Sequence, residues 1–243
     1  MRKIKFSKAI LEATDQCMAS DPTVFIIGLG VPDPGGVFGT TLGLQKKYGK
    51  DRVMDMPLSE NCITGVITGA SLNGYRPILT HQRVEFSLLS IDQIVNQAAK
   101  WYYMNAGQQN VPIVIKMVIG RGWGQGSQHA QSLESWFGHI PGLKVVMPSH
   151  SYDAKGLLIA AIEDPDPVLF LEPKALYRAF REEVPEGHYT VPLSRTRNAR
   201  EGKDLVIYCW GAMVPVCTEA ADRVGEGRGK QIRVVDLRTL MPL

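Results

Sequence analysis

The chain has 243 residues, of which 44% are apolar and 21% are charged, as expected for a globular protein with a sizeable core. Its formal net charge is only +3, and no stretch combines clustered Lys and Arg with aromatic residues, which argues against a nucleic-acid-binding face. No window approaches the roughly 20 uninterrupted apolar residues of a membrane span. The four cysteines form no CxxC pair, so the sequence predicts neither a metal site nor a disulfide framework, and a reducing cytoplasm fits.

The first elements are a helix and then a strand, a loop and a second helix. Residues 5–20 carry apolar residues at helical spacing, and TVFIIGLG is typical of a buried strand. The Pro- and Gly-rich loop VPDPGGVFGTT leads into a short helix that Gly49 ends. DRVMDMP then predicts a strand and turn, and ENCITGVITGASLNG predicts a helix rich in small residues.

Glu60, at the first turn of that small-residue helix, is the residue that most needs an explanation. An ionised carboxylate in apolar surroundings is so unfavourable that it finds a partner, neutralises or is kept for chemistry. The structural alternative is ordinary helix capping, because a helix N-terminus favours negative charge. The residues alone leave both interpretations open.

The next elements bring a second candidate group. RPILTHQRVEF predicts a strand running into a loop, SLLSIDQIVNQAAKWYYMNAG a periodic helix that stops at Gly107, and VPIVIKMVI a buried strand. The Gly-rich loop GRGWGQGSQHAQS follows that strand, and ligands of open α/β sheets collect at the carboxyl ends of strands. His129 in this loop is therefore a candidate acid or base, although a lone histidine is often structural.

The last elements complete an α/β pattern. GLKVVMP, SYDAKGLLIAAIED and PVLFLEP predict a strand, a helix and a strand, and strands alternating with helices predict a mostly parallel sheet with helices on both faces. We assign residues 1–175 to this domain, 176–203 to a linker and 204–243 to an incomplete second α/β unit. That unit is too short to bury both faces of its own sheet, so it should pack on the first domain, on a partner or on residues missing from this chain.

Common catalytic motifs are absent from the sequence. GLGVPDPGG lacks the full dinucleotide fingerprint, the loop GRGWGQGSQH lacks the Lys-Ser/Thr ending of a P-loop, and neither GxSxG nor HExxH occurs. If the chain is part of an enzyme, the sequence predicts that its own side chains do not bind the metal ion.

Several long motifs, in this order, resemble one family. DMPLSEN, GVITGASLNGYRPI, FSLLSIDQIVNQAAKWYYMNAG, SQHAQSLESWFGHIPGLKVVMPSHSYDAKGLLIAAIEDPDPVLFLE and DLRTLMPL are similar to the β subunit of the thiamine-diphosphate-dependent 2-oxo acid dehydrogenase E1 component. The resemblance runs from about Ser7 to the last residue. It implies the pyrimidine-binding fold of that family, followed by the start of a transketolase C-terminal-like domain that the family continues beyond DLRTLMPL.

The resemblance implies roles for individual residues. Glu60 matches the carboxylate that hydrogen-bonds N1′ of the cofactor's aminopyrimidine and promotes ylide formation, and Phe86 matches the aromatic ring that stacks on it. His129 matches the active-site histidine, and the resemblance also places Leu58 among the cofactor-binding residues. The family also places a potassium ion on backbone carbonyls, here at Ala161, Ile162, Asp164 and Asp166.

The resemblance also implies partners. In the family an α-type subunit with a GDG…N motif holds the diphosphate and Mg²⁺, the assembly is α2β2, and a lipoyl acyltransferase, E2, receives the acyl group. No GDG occurs in this chain. The implied function is the β-type subunit of an enzyme that decarboxylates a 2-oxo acid and transfers the acyl unit to a lipoyl carrier.

Two departures from the family leave the substrate open. The chain has Gly28, Leu29 and Gly30 where many members read GED, and His81 and Arg83 bring basic groups to the expected substrate side. These groups favour a different acyl donor or acceptor. The alternative is a split transketolase-like or acyloin-forming enzyme that moves a two- or three-carbon unit to an aldehyde, sugar or carrier protein. A third reading, a non-catalytic scaffold, has no need to retain Glu60, Phe86 and His129 together.

Overall fold

The computed structural model describes residues 2–121 and 124–243. Its α-helices are α1 (Phe6–Ser20), α2 (Leu44–Tyr48), α3 (Glu60–Leu72), α4 (Ala99–Met104), α5 (Glu134–Gly138), α6 (Ser151–Glu163) and α7 (Met213–Arg228). Its strands are β1 (Lys3–Lys5), β2 (Val24–Ile27), β3 (Val53–Met54), β4 (Arg76–His81), β5 (Val114–Ile119), β6 (Lys144–Val146), β7 (Val168–Pro173), β8 (Arg181–Glu183), β9 (Arg197–Arg200), β10 (Leu205–Cys209), β11 (Ile232–Asp236) and β12 (Thr239–Met241).

One seven-stranded sheet organises the molecule, in the order β12-β6-β7-β5-β4-β2-β3. Every pairing from β6 to β3 is parallel, and β12 joins the edge antiparallel to β6. The central strands β5 and β7 are buried along their whole length, which explains why both read as continuous apolar runs. The predicted mostly parallel α/β fold is confirmed.

The side chains of the sheet alternate between two cores. On one face, here the α1 face, α1 and α6 pack with residues such as Ile26, Val118 and Phe170. On the other, the α3 face, α3 and the segment after β4 pack with residues such as Leu79 and Met117. The helical patterns of α1, α3 and α6 lie where the sequence predicts them.

The C-terminal unit is a small sheet, β10-β11-β9, with α7 packed against it. It is tied to the main sheet by β12 and by a buried polar network between the two units. Arg238 donates to Asp153 at 3.0 Å, and Ser149 donates to Asp236. The expectation that this unit packs on the first domain is therefore met.

Two segments differ from the predicted secondary structure. Residues 176–203, predicted as a linker, contain β8, which pairs with β1, and β9, which belongs to the C-terminal sheet. Both strands are short and lack an apolar pattern, because they pair at sheet edges where side chains face solvent. The predicted helix after β4 is instead a 3₁₀ segment (Val84–Ser90), a π segment (Gln93–Ala98) and then α4.

Candidate active site

The carboxyl ends of β2, β3, β4, β5 and β7 meet at one edge of the sheet. The chain approaches itself closely there, since a Cβ at Gly28 would lie 2.3 Å from the carbonyl oxygen of Thr80. Asp55 joins two of the loops by accepting hydrogen bonds from the amides of Gly30 at 3.0 Å and Met56 at 2.9 Å. This edge is where the general rule for parallel sheets places a ligand.

Glu60 is the first residue of α3 and is only 8% exposed. Its backbone oxygen accepts a hydrogen bond from Thr64 at 2.8 Å. Among residues 2–121 and 124–243, no side chain donates a hydrogen bond to the Glu60 carboxylate and no cation pairs with it. A buried carboxylate without a donor is unfavourable unless something outside the chain supplies one.

Phe86 and His129 lie against each other. Phe86 sits in the 3₁₀ segment that packs on α3, and its ring centroid is 5.4 Å from that of His129 in an edge-on arrangement. Glu85 accepts a hydrogen bond of 2.6 Å from the amide of Gln131, which fixes the chain after His129 to the Phe86 segment. The structure therefore brings together Phe86 and His129 and packs the Phe86 segment on the helix that begins at Glu60.

His81 is not the basic group that the sequence suggests. It ends β4 on the α3 face, is 3% exposed, and its Nε2 has no hydrogen-bond partner in the described structure. Burial lowers the pKa of His81 to about 4, so the ring is neutral at neutral pH. His81 lies at the carboxyl end of β4 with its ring in the core, and its place among the substrate-side residues stays a prediction.

Arg83 does lie at the sheet edge. It donates a hydrogen bond to Gln125 in the Gly-rich loop that carries His129. Lys174, which follows β7, lies near both Arg83 and Arg178, and the sequence analysis missed Lys174 and Arg178. Burial, then Arg178 and Arg83, lower the pKa of Lys174 to about 8. The signal was available in the basic letters of KALYR, directly after a buried strand.

The other predicted site residues are placed as follows. Leu58 is 78% exposed, two residues before Glu60. Arg76 donates to the carbonyl oxygens of Ile162 at 2.9 Å and Asp164 at 3.1 Å. Lys144 pairs with the carboxylates of Asp164 and Asp166. A potassium ion at the predicted carbonyls would therefore share two of them with a guanidinium, and the ion stays a prediction.

A second buried charged group lies beneath the edge, on the α1 face. Lys116 is fully buried and pairs with Glu172 at 3.3 Å, and Tyr177 donates to the same carboxylate at 2.5 Å. Burial and the neighbouring Glu172 raise the pKa of Tyr177 well above its usual range, which keeps the phenol protonated. The sequence signal was a lysine and a glutamate inside two apolar strands.

A cleft of about 500 Å³ lies on the same edge between the loop after β5 and the C-terminal unit. Gly120, Arg121, Glu134 and Trp210 line it, whereas Glu60, Phe86 and His129 do not. We take the buried carboxylate and the ring pair, rather than this cleft, as the centre of the site, because cleft size alone carries no chemistry. Within the described parts of the chain, no three metal-ligating side chains cluster, and no helix is long and apolar enough to cross a membrane.

Two family models match successive parts of the chain. Residues 2–179 match the model described as transketolase, pyrimidine binding domain, and residues 194–243 match transketolase, C-terminal domain. In fold, the chain is similar to a solved split gene transketolase, an inactive β4 tetramer, with a TM-score of 0.75, 20% identity, and coverage of 98% of this chain and 72% of that one.

The relatives found by sequence share more identical residues with this chain than the solved transketolase does. The chain is 42% identical over 243 residues to the pyruvate dehydrogenase E1 component subunit beta of Acholeplasma laidlawii. It is 46% identical over 252 residues to the acetoin:2,6-dichlorophenolindophenol oxidoreductase subunit beta of Cupriavidus necator, and 42% identical over 243 residues to the 2-oxoisovalerate dehydrogenase subunit beta of Bacillus subtilis. Each alignment covers 100% of this chain and 74% of the relative. The chain therefore belongs to the family of β subunits of 2-oxo acid dehydrogenase E1 components, built on a transketolase-type pyrimidine-binding domain.

Proposed function

We propose that this chain is the β-type subunit of a heteromeric enzyme that uses thiamine diphosphate to decarboxylate a 2-oxo acid and passes the acyl unit to a lipoyl carrier. The observation that carries the proposal is the Glu60 carboxylate, buried at the start of α3 without a donor from the described chain. Capping alone does not account for it, because a capping carboxylate accepts hydrogen bonds from backbone amides.

The residues at this edge fit an aminopyrimidine. Glu60 would share a proton with a ring nitrogen, which supplies the hydrogen-bond partner that the protein withholds. Phe86, half-buried, presents an aromatic ring on which a planar heterocycle stacks. When bound, thiamine diphosphate supplies a nucleophilic carbon and an electron sink for decarboxylation.

His129 is the group of this chain best placed to move a proton at the substrate. It is partly exposed at the end of the Gly-rich loop, its Nδ1 lies 2.9 Å from the carbonyl oxygen of Gln128, and its ring rests on Phe86. The contact with Phe86 would keep the imidazole beside a cofactor ring stacked on Phe86. His129 would hold or deliver a proton at the oxygen of the reacting carbonyl.

The proposal needs a partner subunit. The sequence contains no GDG motif, so the diphosphate and Mg²⁺ fall to an α-type subunit in an α2β2 assembly. The acyl acceptor is the lipoyl group of an E2 acyltransferase. The potassium ion and the cytoplasmic location remain separate predictions.

A second candidate function keeps the cofactor and changes the acceptor. Transfer of a two- or three-carbon unit to an aldehyde, sugar or carrier protein is favoured by Arg83, which stands at the edge of the site next to Gln125. Turnover of pyruvate with and without a lipoyl carrier separates the two reactions.

The variant Glu60→Gln tests the proposal in the complex of this chain with its α-type partner. We expect the loss of one proton-sharing group to lower thiamine-diphosphate-dependent decarboxylation by about 10²- to 10⁴-fold, while complex formation is unchanged. The matched control is Glu219→Gln, at an exposed carboxylate on α7 that pairs with Arg223. Wild-type turnover in Glu60→Gln would refute the role, and equal losses in both variants would point to damage unrelated to the site. A scaffold subunit predicts no change in either variant.

Cofactor binding gives an independent readout. The chain alone should bind thiamine diphosphate weakly in calorimetry, because only the pyrimidine half of the site lies in it, and the αβ complex should bind it tightly. Tight binding by the isolated chain would contradict the shared site.

A further inference from the structure

The cleft of about 500 Å³ between the main sheet and the C-terminal unit is not used by the proposed reaction. Ile119 and Pro173, the last residues of β5 and β7, line it from the sheet. Trp210 and Met213 line it from the C-terminal unit. Its volume falls within the range of roughly 300–1,000 Å³ that is usual for small-molecule sites. The cleft therefore has the size of a ligand site and lies at the edge of the sheet where ligands collect.

The lining of the cleft combines apolar walls with two opposite charges. Apart from Arg121, Ser132 and Glu134, the residues that line it are glycine or have apolar or aromatic side chains. Met147 and Met213 are among them, and methionine side chains adapt their shape to different apolar partners. Such walls suit the apolar body of a small molecule, and the charged groups would decide which molecule it is.

Glu134 supplies the negative charge where the two units meet. It is the first residue of α5, and its Oε1 accepts a hydrogen bond of 3.3 Å from Nε1 of Trp210 in the C-terminal unit. The other carboxylate oxygen, Oε2, is buried and has no hydrogen-bond partner in the described structure. A buried carboxylate oxygen without a donor is unfavourable, so this position favours a ligand that brings an N–H group.

Arg121 supplies the positive charge. It lies two residues beyond the end of β5 and is exposed. Among residues 2–121 and 124–243 it makes neither a hydrogen bond nor an ion pair, and it does not pair with Glu134 although both line the cleft. The planar donors of a guanidinium match the two oxygens of a carboxylate. The cleft thus offers one group for a cation and another for a carboxylate.

We propose that this cleft binds an α-amino acid with an apolar side chain. The ammonium group would donate to Glu134, the carboxylate would accept from Arg121, and the side chain would pack against the apolar walls. A 2-oxo acid lacks the ammonium group and would leave Oε2 of Glu134 without a donor. The inference stands without the proposed function, because neither Glu60 nor His129 lines the cleft. An occupant would still lie beside the catalytic loop, since Ala130 lines the cleft.

Titration calorimetry tests the ligand class, with the full chain alone and in its complex with the α-type subunit. The probes are L-leucine and L-phenylalanine, each paired with the acid that lacks only the ammonium group, 4-methylpentanoate and 3-phenylpropanoate. We expect at least one amino acid to bind to wild type. Its paired acid should bind about 10- to 100-fold more weakly, because a charge-assisted hydrogen bond is lost.

Three variants test the place of binding. Glu134→Gln keeps an oxygen for the indole of Trp210 but removes the charge, so it should weaken binding of the amino acid about 10- to 100-fold and abolish the preference over the paired acid. Arg121→Met should weaken binding of both compounds. Ala175→Trp, at an exposed position of the cleft, should weaken binding by filling the space. The matched controls are Glu219→Gln and Arg223→Met, the exposed ion pair on α7, which should bind as wild type does.

Two results would overturn the proposal. The first is that wild type binds neither amino acid, or binds it no better than the paired acid. The second is that Glu134→Gln binds the amino acid as tightly as wild type does. Decarboxylation is measured separately, so an active complex that binds no amino acid would refute this inference alone. Amino-acid binding lost in Glu134→Gln would support it even if no 2-oxo acid were decarboxylated.

Discussion

The two faces of the main sheet differ in how they hold buried charged groups. On the α1 face two clusters of charged side chains among the described residues are paired. Lys155 is fully buried, donates to three carbonyl oxygens of residues 185–187 at 2.8 to 3.0 Å, and pairs with Glu12 at 2.6 Å. Lys116, Glu172 and Tyr177 form a second paired cluster. These groups hold the helices and the connection after β7 in place.

On the α3 face the two buried ionisable groups at the sheet edge lack such partners. Glu60 has no donor within the described structure, and Nε2 of His81 is unsatisfied there. Evolution tolerates uncompensated polar groups mainly where function needs them, at a cost in stability. The comparison teaches that burial alone does not mark a functional group, since Lys155 and Glu172 are buried with partners, whereas Glu60 lacks one in the described structure, as its proposed role requires.

The variant Glu172→Gln should have the largest effect on stability. It leaves the Lys116 ammonium buried without its carboxylate, and breaking a buried ion pair from one side costs about 3–5 kcal/mol. Chemical denaturation gives the free energy of unfolding. The double variant Lys116→Met with Glu172→Gln should recover much of the loss, because both charges are then gone. A loss below about 1 kcal/mol for the single variant would mean that the pair behaves like an exposed one, which would contradict the contrast drawn between the two faces.

The pH dependence of unfolding tests the α3 face. The pKa of His81 is about 4 in the folded chain against 6.5 unfolded, so the unfolded chain binds a proton first as the pH falls. The stability that His81 contributes is therefore complete above pH 6.5 and is lost between about pH 6.5 and 4, by about 3 kcal/mol. The slope of stability against pH should be shallower for His81→Leu than for wild type in that window. Identical slopes would mean that His81 reaches solvent.

Much of this arrangement can be predicted from the sequence, because strong local patterns decide it. The periodic helices α1, α3 and α6 and the buried strands β5 and β7 follow from apolar spacing alone. The strands β1, β8, β9 and β12 are not predictable in this way. Each has three or four residues and is defined by a distant partner, as Lys3 is by Glu183.

The candidate site likewise has residues that the sequence identifies and residues that it does not. The family resemblance assigns Glu60, Phe86 and His129 from the sequence, and the structure adds the contact between Phe86 and His129. His81 and Lys174 could not be assigned from the sequence. Alternation along β4 sends His81 into the core, and the environment of Lys174 depends on residues about ninety positions away in the chain.

The smallest expected effect is the most discriminating one. Glu60→Gln removes a carboxylate that no described side chain supports, so the free energy of unfolding should change by no more than about 0.5 kcal/mol, or rise slightly as a buried charge disappears. Glu172→Gln makes the same chemical change at a paired carboxylate and should cost several times more. Denaturation of the two variants side by side isolates the effect of the partners, because both replace a buried carboxylate with an amide of equal size. A large loss in Glu60→Gln would show that α3 needs this charge for its own stability, and Glu60 would then belong with the structural groups of the α1 face rather than with the chemistry.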